Sequence, residues 1–281
     1  MNMTLSSETY EKFQRFIYSS LGLYFPVNKK YLLENSLKTR LLALQCESFE
    51  AYFLYLQFNA KRTQEQIELA NCLTTNETFF FRDQAQIDCL RVHVLPELLT
   101  SCQYRQSLRI WSAGCSTGEE AYTLAILLEE HIPDCRDWRI DIIGTDINEE
   151  VLRKARIGLY DDYAIRNIPA PLLKKYFTIS DGHYEVCNII KQRVTFSKVN
   201  LFDTSQMRTI RDVDLLLCRN VLIYFDEPGR KQIISGFHHA LRANGAFMIG
   251  FSETLQQVKN KFRLIPWNRT MVYYKEEMSF A

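Results

Sequence analysis

LRIWSAG (108–114), followed by Cys115-Ser116-Thr117-Gly118-Glu119-Glu120 and an apolar helical pattern reaching residue 131, decides the fold. A short apolar run stops at glycine and gives way to helical spacing, which reads as a strand feeding a helix. The same order recurs in WRIDIIGTD (138–146), VDLLLCRN (213–220) and GAFMIGFSE (245–253), with the helical segment EPGRKQIISGFHHAL (227–241) between the last two. Strands alternating with helices predict a doubly wound, Rossmann-like α/β sheet. FRLIPW (262–267) and RTMVYYKEE (269–277) predict an antiparallel hairpin at the sheet edge. Between about 163 and 199 the alternation breaks. There YFTI, HYEV and RVTFSKV, separated by Asp181-Gly182 and polar residues, predict a small antiparallel insertion.

Upstream of this unit the periodicity is helical throughout. Tyr10, Phe13, Ile17 and Leu21 line one face; after Phe25-Pro26, Leu33, Leu37, Leu41 and Leu44 line another. Shorter helices are expected at 48–58 and 62–72. Residues 1–72 therefore read as an all-α domain and 73–281 as the α/β domain. The 281 residues, 47% hydrophobic with 10 Gly and 7 Pro, exclude a disordered chain. A net charge of +1 gives no global pull toward nucleic acid or an anionic membrane. No apolar run approaches the ~20 residues of a membrane span, and the N-terminus lacks the pattern of a secretory signal. The 8 cysteines form no CxxC and read as reduced, mostly buried side chains, so no metal is expected. The expectation is a cytoplasmic protein.

In a doubly wound sheet, ligands bind beyond the carboxyl ends of the strands. The turn after the first strand has Gly114 and Gly118, which would permit close backbone approach to a ligand. It matches neither GxGxxG nor GxxxxGK[ST]. Glu119 and Glu120 at the helix start repel a phosphate and suit a cationic amine; equally, they complement the helix dipole, and the residues alone leave both readings open. The second strand ends in Asp146, placed either to accept ribose hydroxyls or to cap the helix near Asn148. A glycine turn without a phosphate code, followed by a ribose-reading acid, suggests an adenosyl ligand lacking phosphates, and S-adenosylmethionine fits. Thr75–Arg82 joins the two zones, with three consecutive phenylalanines anchoring it and Asn76, Thr78 and Arg82 toward the glycine loop. After the strand at 213–218 come Arg219, Asn220 and Tyr224. The Asn/Asp-Pro-Pro-aromatic tetrad that accepts a base amine is missing there; Arg219 and Tyr224 suit an anionic oxygen substrate.

TTNETFFFR, IWSAGCSTGEEAYTLA, GTDIN, VNLFD, CRNVLIYFD and the GAFMIGFSE region occur in the order found in the CheR family, which this chain resembles over nearly its whole length. These are S-adenosylmethionine-dependent protein-glutamate O-methyltransferases of bacterial chemotaxis. The resemblance implies a class I methyltransferase sheet with a β-subdomain insertion. It implies that Asn76, Thr78, Arg82, Gly114, Glu119, Asp146, Asn200, Leu201, Arg219 and Asn220 line the cofactor site. Arg82 and Tyr224 would flank the transferred methyl group; Cys115 is given no chemical role. It further implies that the helical domain, with Lys29, Lys30, Lys38 and Arg40, docks on acidic chemoreceptor helices. The short Ser180–His183 turn lacks the longer loop of members that hold a receptor pentapeptide, so that tether is not expected, and the chain is expected to act as a monomer. The rival readings are a methyltransferase for nucleic acid or small molecules, disfavoured by the neutral charge and missing tetrad, and a silent adaptor, disfavoured by intact Arg82, Asp146, Asn220 and Tyr224.

Overall fold

The computed structural model describes residues 4–74, 76–131, 138–255 and 262–276; Thr75 and Cys135 lie outside them. The chain opens with four helices, α1 (Ser7–Leu21), α2 (Lys30–Ala43), α3 (Phe49–Phe58) and α4 (Arg62–Leu73). Ser6 caps α1 by accepting the Thr9 amide, and Gly22 ends it at φ 74°, a conformation that favours glycine. The faces read from the sequence are the buried ones: Tyr10, Phe13 and Ile17 on α1, and Leu33, Leu37 and Leu41 on α2. Arg40 is a correction to the expected docking patch. Its Nε and Nη2 donate to Glu65 at 2.9 and 2.7 Å, and the Tyr52 hydroxyl donates to Glu65 at 2.7 Å. This half-buried cluster ties α2, α3 and α4 together. Lys38 pairs with Glu34 one turn away on α2 at 2.8 Å.

A bent helical segment follows, α5 (Gln84–Cys89) and α6 (Leu95–Ser101), joined by a π-wound turn at Leu90–Val94. Then come β1 (Ser107–Ala113), α7 (Glu119–His131), β2 (Arg139–Asp146) and α8 (Glu149–Ile157). The insertion holds β3 (Leu159–Tyr160), α9 (Asp162–Ile165), α10 (Ala170–Tyr176), β4 (Phe177–Ser180), β5 (His183–Val186) and α11 (Asn188–Lys191). The chain continues through β6 (Val194–Lys198), α12 (Thr204–Met207), β7 (Val213–Cys218), α13 (Glu227–Ala240), β8 (Leu241–Ile249), β9 (Phe262–Trp267) and β10 (Thr270–Lys275).

Seven strands form the main sheet in the order β6-β2-β1-β7-β8-β10-β9. Pairing is parallel from β6 through β8, and β10 runs antiparallel to both β8 and β9, giving the expected edge hairpin. The segment RVTFSKV, expected in the antiparallel insertion, instead supplies β6, parallel to β2. Its half-buried alternation is common to hairpins and to sheet edges. The side chain of Phe196 lies where Gly144 leaves room, since a Cβ at 144 would stand 2.6 Å from its ring. The small sheet is β3-β5-β4.

Side chains alternate across the main sheet. Ile110, Leu215, Leu217 and Met248 face the core shared with α5, α6 and α7. Trp111, Leu216, Phe247 and Ile249 face a second core that continues into α1–α4 and α13. The all-α unit therefore shares a core with one face of the sheet, and burial of that apolar surface holds the two together.

Candidate active site

The strand order turns back between β1 and β7, and a cavity of about 310 Å³ opens beyond the carboxyl ends of β1, β2 and β7. Every residue expected at the site lines it except Glu119. Gly114, at φ 78°, turns the chain after β1. A Cβ there would come 2.4 Å from Val221 Cγ2, and one at Gly118 would come 2.9 Å from Ala155. These two glycines let chain pack on chain. Gly118 itself does not line the cavity.

One end of the cavity is built around Asp146, whose carboxylate accepts the amides of Ser116 and Asn148, each at 2.9 Å. Burial pushes its pKa up, while the backbone N–H donors work in the opposite direction. Asn148, not Asp146, caps α8, accepting the amides of Glu150 and Val151 at 3.0 and 3.2 Å. That removes the capping alternative for Asp146. The linker is pinned over this end, with the Ser116 hydroxyl donating to the Asn76 carbonyl at 3.1 Å and the Asn148 side-chain Nδ2 to Thr74 Oγ1 at 3.1 Å. Asn200 and Leu201, after β6, form the adjoining wall. The Asn200 side chain is already committed, accepting the Phe202 amide at 3.0 Å and donating to the Ser20 carbonyl at 2.9 Å.

The opposite end is built around Arg82. Its neighbours Phe81 and Asp83 both have left-handed backbone, at φ 54° and 63°, a conformation costing roughly 1–3 kcal/mol per non-glycine residue. Arg219 holds this turn in place. Its Nη2 donates to the Arg82 carbonyl at 2.8 Å and to Asp83 at 2.7 Å, its Nε to Gln86 at 2.5 Å, and its Nη1 to Glu120 at 3.1 Å. Four of its five N–H donors are thus satisfied inside the protein, and its side chain is only 5% exposed. The reading of Arg219 as a residue for an anionic substrate is therefore corrected: it is a strap. Arg82 is the reverse case. Its Nη1 donates to the Glu77 carbonyl at 2.7 Å, and no carboxylate among the described residues stands within ion-pair distance of it. Tyr224 completes this end; its hydroxyl makes no hydrogen bond to any described residue, and its backbone carbonyl accepts the Tyr24 amide at 3.0 Å.

Glu119 lies behind the wall. Thr117 Oγ1 donates to its two oxygens at 2.9 and 2.7 Å, and burial pushes its pKa up to about 7. Glu120 is the carboxylate that faces the cavity, accepting from Ser112 Oγ at 2.6 Å besides pairing with Arg219. Helical phase was the available signal, because Glu120 shares a face with Thr123 and Leu124, which also line the cavity. Leu21 and Leu23, from the end of α1 and just beyond, also contribute to the wall; nothing local in the sequence points to them. Burial and the carboxylates of Asp146, Glu120 and Glu119 push the Cys115 thiol far above its ordinary range, which favours the thiol over the thiolate. Asn220, left-handed at φ 60°, presents a buried side-chain oxygen with no hydrogen-bond partner among the described residues, while Glu253 takes its amide at 2.9 Å.

Comparison with known proteins agrees with this geometry. A family model described as CheR methyltransferase, SAM binding domain, matches residues 76–271, and one described as CheR methyltransferase, all-alpha domain, matches residues 8–74. The chain is 33% identical to chemotaxis protein methyltransferase 2 of Vibrio cholerae, over 98% of this chain and 96% of that one. It is 34% identical to the chemotaxis protein methyltransferase of Borreliella burgdorferi, over 95% of each, and 29% identical to chemotaxis protein methyltransferase 1 of Pseudomonas aeruginosa, over 96% and 99%. The chain belongs to the CheR family of S-adenosylmethionine-dependent methyltransferases.

Proposed function

We propose that this protein transfers the methyl group of S-adenosylmethionine to glutamate side chains of a chemoreceptor, forming glutamate methyl esters in chemotaxis adaptation. The observation that carries the proposal is Arg82, a guanidinium with no carboxylate partner among the described residues, held in a cavity whose far end is the Asp146 carboxylate. The residues fit the cofactor. Asp146 suits the ribose hydroxyls, and Leu201 offers an apolar wall for the base. The unpartnered Asn220 oxygen and the Glu120 carboxylate suit the ammonium group. In this reading Glu120 takes the place that the resemblance gives to Glu119, while Asn76, Thr78, Gly114, Asn200 and Arg219 shape the pocket around it.

When bound, the cofactor would supply a sulfonium methyl group to which a carboxylate oxygen bonds in line as the carbon–sulfur bond breaks, with S-adenosylhomocysteine as the leaving group. A glutamate, with a reference pKa of ~4.3, is already ionised at neutral pH, so no general base is needed from the chain. Arg82 draws in the carboxylate and fixes its plane, and the Tyr224 hydroxyl donates to it. Phe79, Ile223, Leu21 and Leu23 limit water around the reacting oxygen. Positioning of this kind is the main contribution such a site can make.

Replacing Arg82 by alanine is expected to lower transfer of labelled methyl groups to receptor membranes by about 10²–10³-fold, as for removal of one oriented donor. Affinity for S-adenosylhomocysteine, measured by calorimetry, should fall less than tenfold. Near-normal transfer by the variant would refute the role.

Docking on the receptor falls to the all-α unit. Lys29 and Lys30 there have no carboxylate within ion-pair distance among the described residues, and the neighbouring Val27 and Tyr31 are exposed. We read the chain as a cytoplasmic monomer that works without a pentapeptide tether. The β4–β5 hairpin turns on two residues, Asp181 and Gly182, at φ 48° and 71°, the tightest connection available to a hairpin. No described helix is long and apolar enough to cross a membrane.

A further inference from the structure

We propose that Arg166 is a second anion-binding residue at the mouth of the cavity, and that it receives an acidic side chain of the polypeptide substrate next to the glutamate being methylated. The proposal rests on the methyl-transfer reading above. Arg166 follows α9 in the insertion and lies outside the sequence stretches quoted above. Its guanidinium carbon lies 3.5 Å from the centroid of the Phe79 ring and 3.6 Å from that of Tyr163, so the group is held between two rings, and its Nη1 donates to the Tyr163 carbonyl. Phe79 is part of the cavity wall, and Arg82 approaches the same ring at 5.6 Å. One aromatic side chain thus carries two guanidiniums, one from the linker and one from the insertion.

The second ring is fixed as well. The Tyr163 hydroxyl donates to Glu77 at 2.8 Å, and the Tyr163 and Phe79 rings meet edge to face at 6.4 Å. Contact with two rings and the hydrogen bond to the Tyr163 carbonyl order the arginine before anything binds and leave its remaining N–H donors for a carboxylate. The surrounding charges point the same way. Every carboxylate close by in the chain has another partner: Asp161 accepts the Ala164 amide at 2.9 Å, Asp162 accepts from the Tyr184 hydroxyl at 2.9 Å, and Glu77 accepts from Tyr163. Among the described residues none lies within ion-pair distance of Arg166, which is exposed to solvent. Two neighbouring, unneutralised guanidiniums call for two anions. The target glutamate supplies one at Arg82, and an acidic neighbour supplies the other at Arg166.

The test compares the unmodified protein with Arg166→Gln and Arg166→Glu, following initial rates of labelled methyl transfer against the concentration of receptor membranes at low and high salt. Expected for Arg166→Gln is a KM for receptor raised about tenfold with kcat within about twofold, a larger rise for Arg166→Glu, and a weaker salt dependence of KM in both. Affinity for S-adenosylhomocysteine should be the same in all three. Unchanged KM in both variants would overturn the proposal. So would equal losses in the two variants accompanied by weaker S-adenosylhomocysteine binding, because that pattern belongs to a residue that only packs. Absence of transfer by the unmodified protein would overturn the methyl-transfer reading itself, and with it the acceptor that Arg166 is proposed to hold.

Discussion

The Asp146 end and the Arg82 end of the cavity are built on opposite plans. At the first, the carboxylate has two backbone donors, the helix behind it has its own cap in Asn148, and the walls come from the sheet and its loops. At the second, two left-handed residues flank an arginine without a counter-ion among the described residues, and the walls come from the linker and the end of the helical unit. Folding alone completes the Asp146 end, which we assign to the cofactor. The Arg82 end is left with charge to neutralise, which under the proposed function an acceptor carboxylate provides. Chain strain and unpaired charge sit together there, as expected where a site is held ready by its surroundings.

The largest effect expected from breaking this contrast comes from the strap. Arg219→Met would leave Asp83 and Glu120 without their cation and release the turn that carries Arg82. Removing one partner of a buried ion pair costs about 3–5 kcal/mol, which chemical denaturation would read directly. The folded fraction of the variant should lose methyl transfer along with Arg82→Ala, with a smaller loss of S-adenosylhomocysteine affinity through Glu120, the carboxylate that Arg219 pairs with. Equal loss of both would merge the two ends into one network.

Glu119 tests where the Asp146 end stops. Its pKa is raised by burial from 4.5 to about 7, so the folded state holds its proton more tightly than the unfolded chain. The associated stability is complete below pH ~4.5 and is lost as pH rises through ~7. Glu119→Gln should therefore be more stable than the unmodified protein at pH 8, by an amount on the order of 2–3 kcal/mol, and the gap should close on acidification to pH 5. Denaturant midpoints across that range check the sign. A fall in S-adenosylhomocysteine affinity in this variant would return Glu119 to the cofactor site.

The smallest effect is expected at Asp146 itself. Asp146→Asn keeps the shape and removes the charge, so the loss should be about 2 kcal/mol in S-adenosylhomocysteine binding, typical of hydrogen bonds to a charged group. With cofactor saturating, transfer should recover most of its rate. A rate defect that saturation does not relieve would show that this end also acts on the acceptor.

Most of the architecture was legible because it is written locally. Apolar runs of six to nine residues, a glycine or an acid at their ends, and helical spacing after them fix the rhythm of β1–α7–β2–α8. β6 escaped because a half-buried strand looks alike wherever it pairs, and the room that Gly144 leaves for Phe196 shows only in the folded chain. The cavity residues were legible where they sit at strand ends. The division of labour among them was not. Arg219 reads as a substrate arginine until its partners at 82, 83, 86 and 120 are seen around it, and Glu119 and Glu120 differ only in the direction that α7 gives them.

The hydrogen bond from the Tyr24 amide to the Tyr224 carbonyl joins the segment just after α1 to the residue proposed to hold the acceptor, and Leu21 and Leu23 close the same wall. A partner seated on the helical unit and a molecule in the cavity therefore share a boundary. Whatever factor cofactor occupancy adds to receptor affinity, receptor binding must add to cofactor affinity, because the coupling free energy is one quantity seen from two sides. A receptor-mimicking peptide that shifts the calorimetric affinity for S-adenosylhomocysteine would measure that factor.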